Sequence, residues 1–152
     1  MFKKGLGLVI VGVIFLIGCG NGERTVSCAT ADNVIPRVSI RYEAIDDDIQ
    51  EATIRFSYTR YQIMTSVLGQ RGLSDEELEA AIVELLELDS YPASVSYEVD
   101  IRDDSFQMVY ISIIFDITSL SDAELAEFGF STSLEEEMRE MESDPDMTCR
   151  DL

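Results

Sequence analysis

The sequence predicts an α+β two-layer sandwich: an antiparallel sheet of about four strands with helices on one face, in the order ββ-α-ββ-α-α. Three observations predict it. Two pairs of segments alternate apolar and polar residues with the period of a half-buried strand, and an acidic turn joins each pair. Ser-x-x-Glu signatures at Ser74, Ser121 and Ser133 mark helix starts between and after those pairs. The apolar residues of these helices fall on single stripes, and each stripe needs a sheet face to bury it.

In the first pair, Val38, Ile40 and Tyr42 alternate with Ser39 and Arg41. Asp46-Asp47-Asp48 interrupts the run, after which Ala52, Ile54, Phe56 and Tyr58 alternate with Thr53, Arg55 and Ser57. Val26 to Ala29 is a candidate short strand ahead of this hairpin and is not counted among the four. Ser74 is placed to cap the amide of Glu77, with Leu73 and Leu78 in the staple positions. Leu78, Ala81, Ile82, Leu85 and Leu86 continue as a helical stripe, and Pro92 lies beyond its end.

The second pair sets Val95, Tyr97, Val99 and Ile101 against the run from Gln107 to Ile117, with Asp103-Asp104 at the turn. Both faces of that run are largely apolar, which predicts the central strand. Two helices then start at Ser121 and Ser133; Asp144-Pro145-Asp146 ends the last, leaving a tail that carries Cys149.

The chain begins with Lys3-Lys4, continues with an apolar run from Leu6 to Ile17, and reaches Leu16-Ile17-Gly18-Cys19. The run has the length of a signal-peptide core and falls short of the roughly 20 residues that span a bilayer. Leu, a branched residue, Gly and Cys in that order are similar to a bacterial lipobox. That similarity implies diacylglyceryl (palmitate-type) modification of Cys19 and cleavage before it. The organisation is then a signal peptide at 1–18, a tether at 19–25 and one α+β domain at 26–152. The competing reading is an ordinary secretory peptide cut at Gly18 or Gly20. The expected address is the cell membrane on its extracytoplasmic side, with lipid on Cys19 as the membrane contact.

Lys3 and Lys4 are the only lysines and there is no histidine; arginine supplies every cation of residues 19–152. Removing residues 1–18 takes those two lysines and moves the net charge from −19 to −21. Nucleic-acid binding needs clustered cations to neutralise phosphates, so a nucleic-acid partner is not expected. The acidity reads as solubility or as a face for a cationic or protein partner that the sequence leaves unnamed.

With Cys19 given to lipid, Cys28 and Cys149 remain. In an exported chain two such cysteines are expected to pair as a disulfide. A reactive thiol or a metal ligand is the alternative, though neither residue has a CxxC partner.

The absence of histidine removes Ser-His-Asp and Cys-His catalysis, and the absence of lysine after residue 18 removes Ser-Lys dyads. No phosphate loop or dinucleotide motif is present. Asp46, Asp47 and Asp48, with Asp103 and Asp104, are the candidates for carboxylate hydrolysis or calcium binding. Both groups lie at predicted turns, where Asp bonds its local backbone, and neither has the EF-hand pattern. Tyr58, Tyr61, Tyr91 and Tyr97 are candidate contact residues. The expected role is non-enzymatic: a lipid-anchored binding or accessory domain of the cell envelope, with no catalytic residue, metal or cofactor. The alternative is a carboxylate-based hydrolase or a calcium-dependent binding module.

The order of these features resembles the YehR-type small bacterial lipoproteins, a family defined by a domain of unknown function. The resemblance rests on Cys19, Ser27-Cys28, the capped acidic helix at Ser74, the segment Ser94 to Ile101 with Asp103-Asp104, the strand ending at Phe115-Asp116, Leu120-Ser121 and the late Cys149. It implies an α+β lipoprotein and no known activity.

Overall fold

One alternation governs the whole sheet: the strands turn their apolar residues to the same side. The computed structural model describes residues 22–34 and 36–152. Its strands are β1 (Glu23–Thr30), β2 (Arg37–Ile45), β3 (Asp48–Thr59), β4 (Val95–Ile101), β5 (Met108–Asp116) and β6 (Met147–Asp151). They form a single sheet in the order β4-β5-β3-β2-β1-β6, with every pairing antiparallel. The helices are α1 (Arg60–Gln62), which runs on as a π-helical turn to Val67, α2 (Asp75–Leu85), α3 (Asp122–Phe128) and α4 (Leu134–Ser143).

This corrects the expected sheet. It has six strands, not about four, and the order ββ-α-ββ-α-α omits the first and last of them. Both are strands by virtue of their neighbours. Met147 to Asp151 is short and carries little apolar character, so its strand state comes from pairing with β1. β1 begins at Glu23, so residues 23–25, expected to be tether, are already paired with β2. The run from Gln107 to Ile117 is an interior strand, but β3 and β2 hold the middle of the sheet. The signal peptide at 1–18 and Cys19 lie outside the described residues. Among those described, no helix is long and apolar enough to cross a membrane.

The core lies between one face of the sheet and the helices. Val26, Cys28, Tyr42, Ala52, Val109, Ile111 and Phe115 from the strands pack with Ile63, Leu78, Ile82, Leu125 and Leu134 from the helical layer. Phe115 meets Phe128 and Phe130 edge-on at 5.2 and 4.8 Å between ring centres.

Each helix start is built locally. Ser74 and Ser121 form full capping boxes with Glu77 and Glu124. Thr59 does the same with Gln62, turning the chain out of β3. Arg60 donates to the Leu73 carbonyl at 2.7 Å and pairs with Asp75, tying this turn to the start of α2. At α4 the local cap, Ser133 Oγ accepting from the Glu136 amide at 3.3 Å, is reinforced from afar. Asp47 accepts from Ser133 Oγ at 2.6 Å and from the Glu135 amide at 2.8 Å. Those bonds hold its carboxyl below the usual carboxylate range, the Ser133 bond contributing most.

Candidate functional site on the open face of the sheet

The other side of the sheet carries the residues that alternate with the core. From β2 these are Arg37, Ser39, Arg41 and Glu43; from β3, Glu51, Thr53, Arg55 and Ser57. Tyr110 and Ser112 of β5, Ser27 and Ala29 of β1, and Thr148 and Arg150 of β6 share that side. Among the described residues no helix covers it. Five of the chain's arginines, Arg37, Arg41, Arg55, Arg102 and Arg150, therefore gather on or at the rim of one face of a strongly acidic protein.

These five are not equivalent. Arg37 pairs with Asp32 at 3.0 Å, Arg41 with Glu43 at 2.7 Å and Arg102 with Asp100 at 2.8 Å. Among the described residues neither Arg55 nor Arg150 has a carboxylate within ion-pair distance. Arg55 instead donates from Nε to Ser112 Oγ at 3.2 Å and lies over the Tyr110 ring, 5.2 Å from its centre. Arg102 lies 4.9 Å from the same ring centre, so Tyr110 meets two guanidinium groups.

A cleft of about 460 Å³ runs over this surface, lined by Arg37 with its partner Asp32, by Arg55, Arg150 and Tyr110, and by hydroxyls that include Ser39, Ser57 and Thr148. Two smaller clefts of about 260 Å³ lie on the same side, one toward Thr59 and Met108 and one toward Glu43 and Glu51. The surface is polarised along the strands. Glu43, Glu51 and Asp116 lie toward the end where β1 begins, and the arginine cleft lies toward the end where β1 finishes.

The residues singled out in the sequence distribute differently. Cys28 and Cys149 are register partners on β1 and β6, with their sulfurs bonded at 1.96 Å. Closing a loop of sequence separation 121 is worth about 4–5 kcal/mol in the chain-entropy account. The acidic turns do not converge. Asp47 caps α4, while Asp104 accepts from the Phe106 amide at 3.0 Å within its own turn. Among the described residues no three Cys, Asp or Glu side chains are grouped to hold a metal ion. The candidate tyrosines do not form a patch. Tyr58, Tyr91 and Tyr97 pack against the core, and Tyr61 stands exposed by itself.

A buried polar pair lies under the covered face. Tyr42 donates to Glu137 Oε2 at 2.8 Å, and the Ser131 amide donates to Glu137 Oε1 at 2.5 Å. Tyr42 is fully buried and Glu137 is 2% exposed. Burial, followed by the charge of Glu137, pushes the Tyr42 phenol well above its ordinary range. With both carboxylate oxygens engaged, this pair serves the packing of α4 on β2.

Sequence reasoning missed the arginine face. Its signal was present in the outward positions of the predicted strands, where Arg37, Ser39, Arg41, Arg55 and Ser57 recur every second residue. Tyr110 and Arg150 join them only through strand order.

No family model matches the chain, and no curated protein does. Among solved structures, the chain is similar in fold to the NMR structure of a protein from Streptococcus pneumoniae TIGR4. The match has a TM-score of 0.56 at 14% identity and covers 86% of this chain and 87% of that one. At that identity the likeness concerns the fold alone.

Proposed function

We propose that the chain is a lipid-anchored cell-envelope protein, held to the membrane through Cys19, that acts by binding, with the open face of its sheet as the working surface. One observation carries the second half of this reading. A chain of net charge −19 concentrates arginines, two of them free of carboxylate partners among the described residues, on the sheet face that no helix of the described residues covers. Buried apolar surface is what a sheet needs for stability, and an array of cations is not; the array supports recognition of a ligand. The lipobox and the resemblance to YehR-type lipoproteins support the anchor.

The hydrolase and calcium readings lack support of this kind. Asp47, Asp104 and Asp116 are each occupied with amides or hydroxyls of their own turns and caps.

The test of the anchor is fractionation. The full chain expressed in a bacterial host should sediment with membranes and carry the mass of a lipid at Cys19. Cys19→Ala should appear in the soluble exported fraction. A Cys19→Ala chain that sediments as fully as the parent sinks the anchor.

A further inference from the structure

The strongest unassigned feature is the outer border of β4. This strand ends the sheet, pairing with β5 on one side and with no strand of the described residues on the other. Two backbone bonds set the phase of its ladder. The Asp116 amide donates to the Ser94 carbonyl at 2.9 Å, and the Arg102 amide donates to the Met108 carbonyl at 2.9 Å. Between them the register runs without a bulge. In an antiparallel ladder alternate residues bond to the partner strand. Ser96, Glu98 and Asp100 therefore aim their amides and carbonyls at β5, and Tyr97, Val99 and Ile101 aim theirs outward. Such a row is a template for one more strand. The opposite border, β6, is shorter, with five residues against seven.

The side chains choose the occupant. Tyr97, Val99 and Ile101 lie on the covered face, half-buried against the core, so apolar side chains laid beside them extend that core. Ser96, Glu98 and Asp100 lie on the open face. Asp100 is paired with Arg102 at 2.8 Å. Glu98, exposed in mid-strand, has no cation within ion-pair distance among the described residues. A second copy of the chain fits badly. With β4 antiparallel to itself at full overlap, Glu98 meets Glu98 of the second copy; slipped toward Ile101 to the next register that keeps the bonding phase, it meets Asp100. Like charges directly opposite are destabilising. Two bodies of net charge −19 also repel before they touch, whereas the same charge draws a basic segment in.

We infer that β4 docks, by antiparallel strand addition, an extended segment of another protein in which basic residues alternate with apolar ones. The basic residues lie beside Glu98 on the open face, and the apolar ones lie beside Tyr97, Val99 and Ile101.

The inference goes beyond the reading of the open face, because it uses the backbone border of the sheet, and it stands apart from the anchor. Fractionation of Cys19→Ala tests the anchor and leaves the border untouched. The experiment is titration of the full chain, in neutral detergent, with a capped peptide of alternating arginine and valine, about nine residues long so as to span β4. Three further peptides serve as comparisons. One has the same residues with the arginines gathered at one end. One is the alternating peptide N-methylated on its valines, whose amides face β4 in an antiparallel pair. The last alternates glutamate and valine. Calorimetry reads affinity, and NMR reads the exchange of single amides.

The alternating basic peptide should bind at least about tenfold tighter than each of the other three. On binding, exchange of the Tyr97, Val99 and Ile101 amides should slow by at least about tenfold, while the Ser96, Glu98 and Asp100 amides, already bonded to β5, should change less. Glu98→Arg should weaken binding by about tenfold, because an attraction becomes a repulsion. Val99→Pro removes one outward amide and no bond to β5, and should weaken binding by about the same factor. Glu142→Arg makes the same change of charge on α4, beside the opposite border, and should leave affinity within about twofold. Absence of binding overturns the inference, and so does comparable binding of the gathered-charge or the N-methylated peptide. Protection that ignores the alternation overturns it, as does retained affinity in both Glu98→Arg and Val99→Pro. A parent that sediments as a dimer without peptide, and that Val99→Pro makes monomeric, gives the border to a second copy instead. Melting curves matching the parent's certify that each variant is folded. One variant alters a side chain and the other the backbone, so the loss of one leaves the other to decide.

Discussion

The two sides of the sheet obey opposite rules. On the covered side each residue is fixed by its neighbours: Tyr42 by Glu137, Cys28 by Cys149, Phe115 by two other rings. On the open side the arginines reach into solvent, and two of them lack a carboxylate partner among the described residues. Stability lives in the first set. The second set contributes little to it and is therefore free to be shaped by a ligand. The difference teaches where to look for work in a protein whose motifs name no chemistry: among side chains that the fold does not require.

The largest test of that contrast is the disulfide. Cys28→Ala with Cys149→Ala should lower the unfolding free energy by about 4 kcal/mol, read from urea melts, because the long loop is no longer closed in the unfolded chain. Glu137→Ala should cost about 3 kcal/mol in the same assay, since it strands the Tyr42 hydroxyl and the Ser131 amide in the interior.

The same pair gives the covered side a pH signature. The Tyr42 pKa is raised in the folded state, so its contribution is fully present below the unfolded value near pH 10 and is lost as pH rises beyond it. Melts at about pH 8 and about pH 11 should differ in the parent more than in Tyr42→Phe. Equal differences would mean that other groups set the alkaline limb.

Asp47→Ala, which removes the bonds to the Ser133 hydroxyl and the Glu135 amide but leaves Ser133 as the N-cap of α4, should cost about 1 kcal/mol. Arg55→Gln on the open face should change stability by no more than about 0.5 kcal/mol. A larger loss there would dissolve the contrast, because the arginine would then belong to the scaffold.

Much of the covered side was legible in the sequence. Alternation at Val38–Tyr42, Ala52–Tyr58 and Val95–Ile101 marks the hairpin strands, and Ser74 and Ser121 open their helices as the capping pattern requires. The Cys28–Cys149 bond agrees with the pairing expected of the two cysteines that remain once Cys19 is read as lipidated. What escaped depends on contacts far apart in the chain. Met147 to Asp151 becomes a strand only beside β1, and Asp47 looks like a turn residue until Ser133 arrives 86 positions later. The open face was half legible. Its members on β2 and β3 could be listed by parity, but Tyr110 and Arg150 reach them only through the order of strands, which no local pattern encodes.

The bond between Cys28 and Cys149 has a consequence beyond loop closure. It staples the last five-residue strand over the flank of β1, whose backbone amides and carbonyls would otherwise lie bare. Under reducing conditions β6 can peel away and leave β1 as an unpaired border, a ready template for another chain. Oxidation thus guards the protein against growing edge-to-edge on copies of itself, and turbidity after mild reduction is where that protection should first be seen to fail.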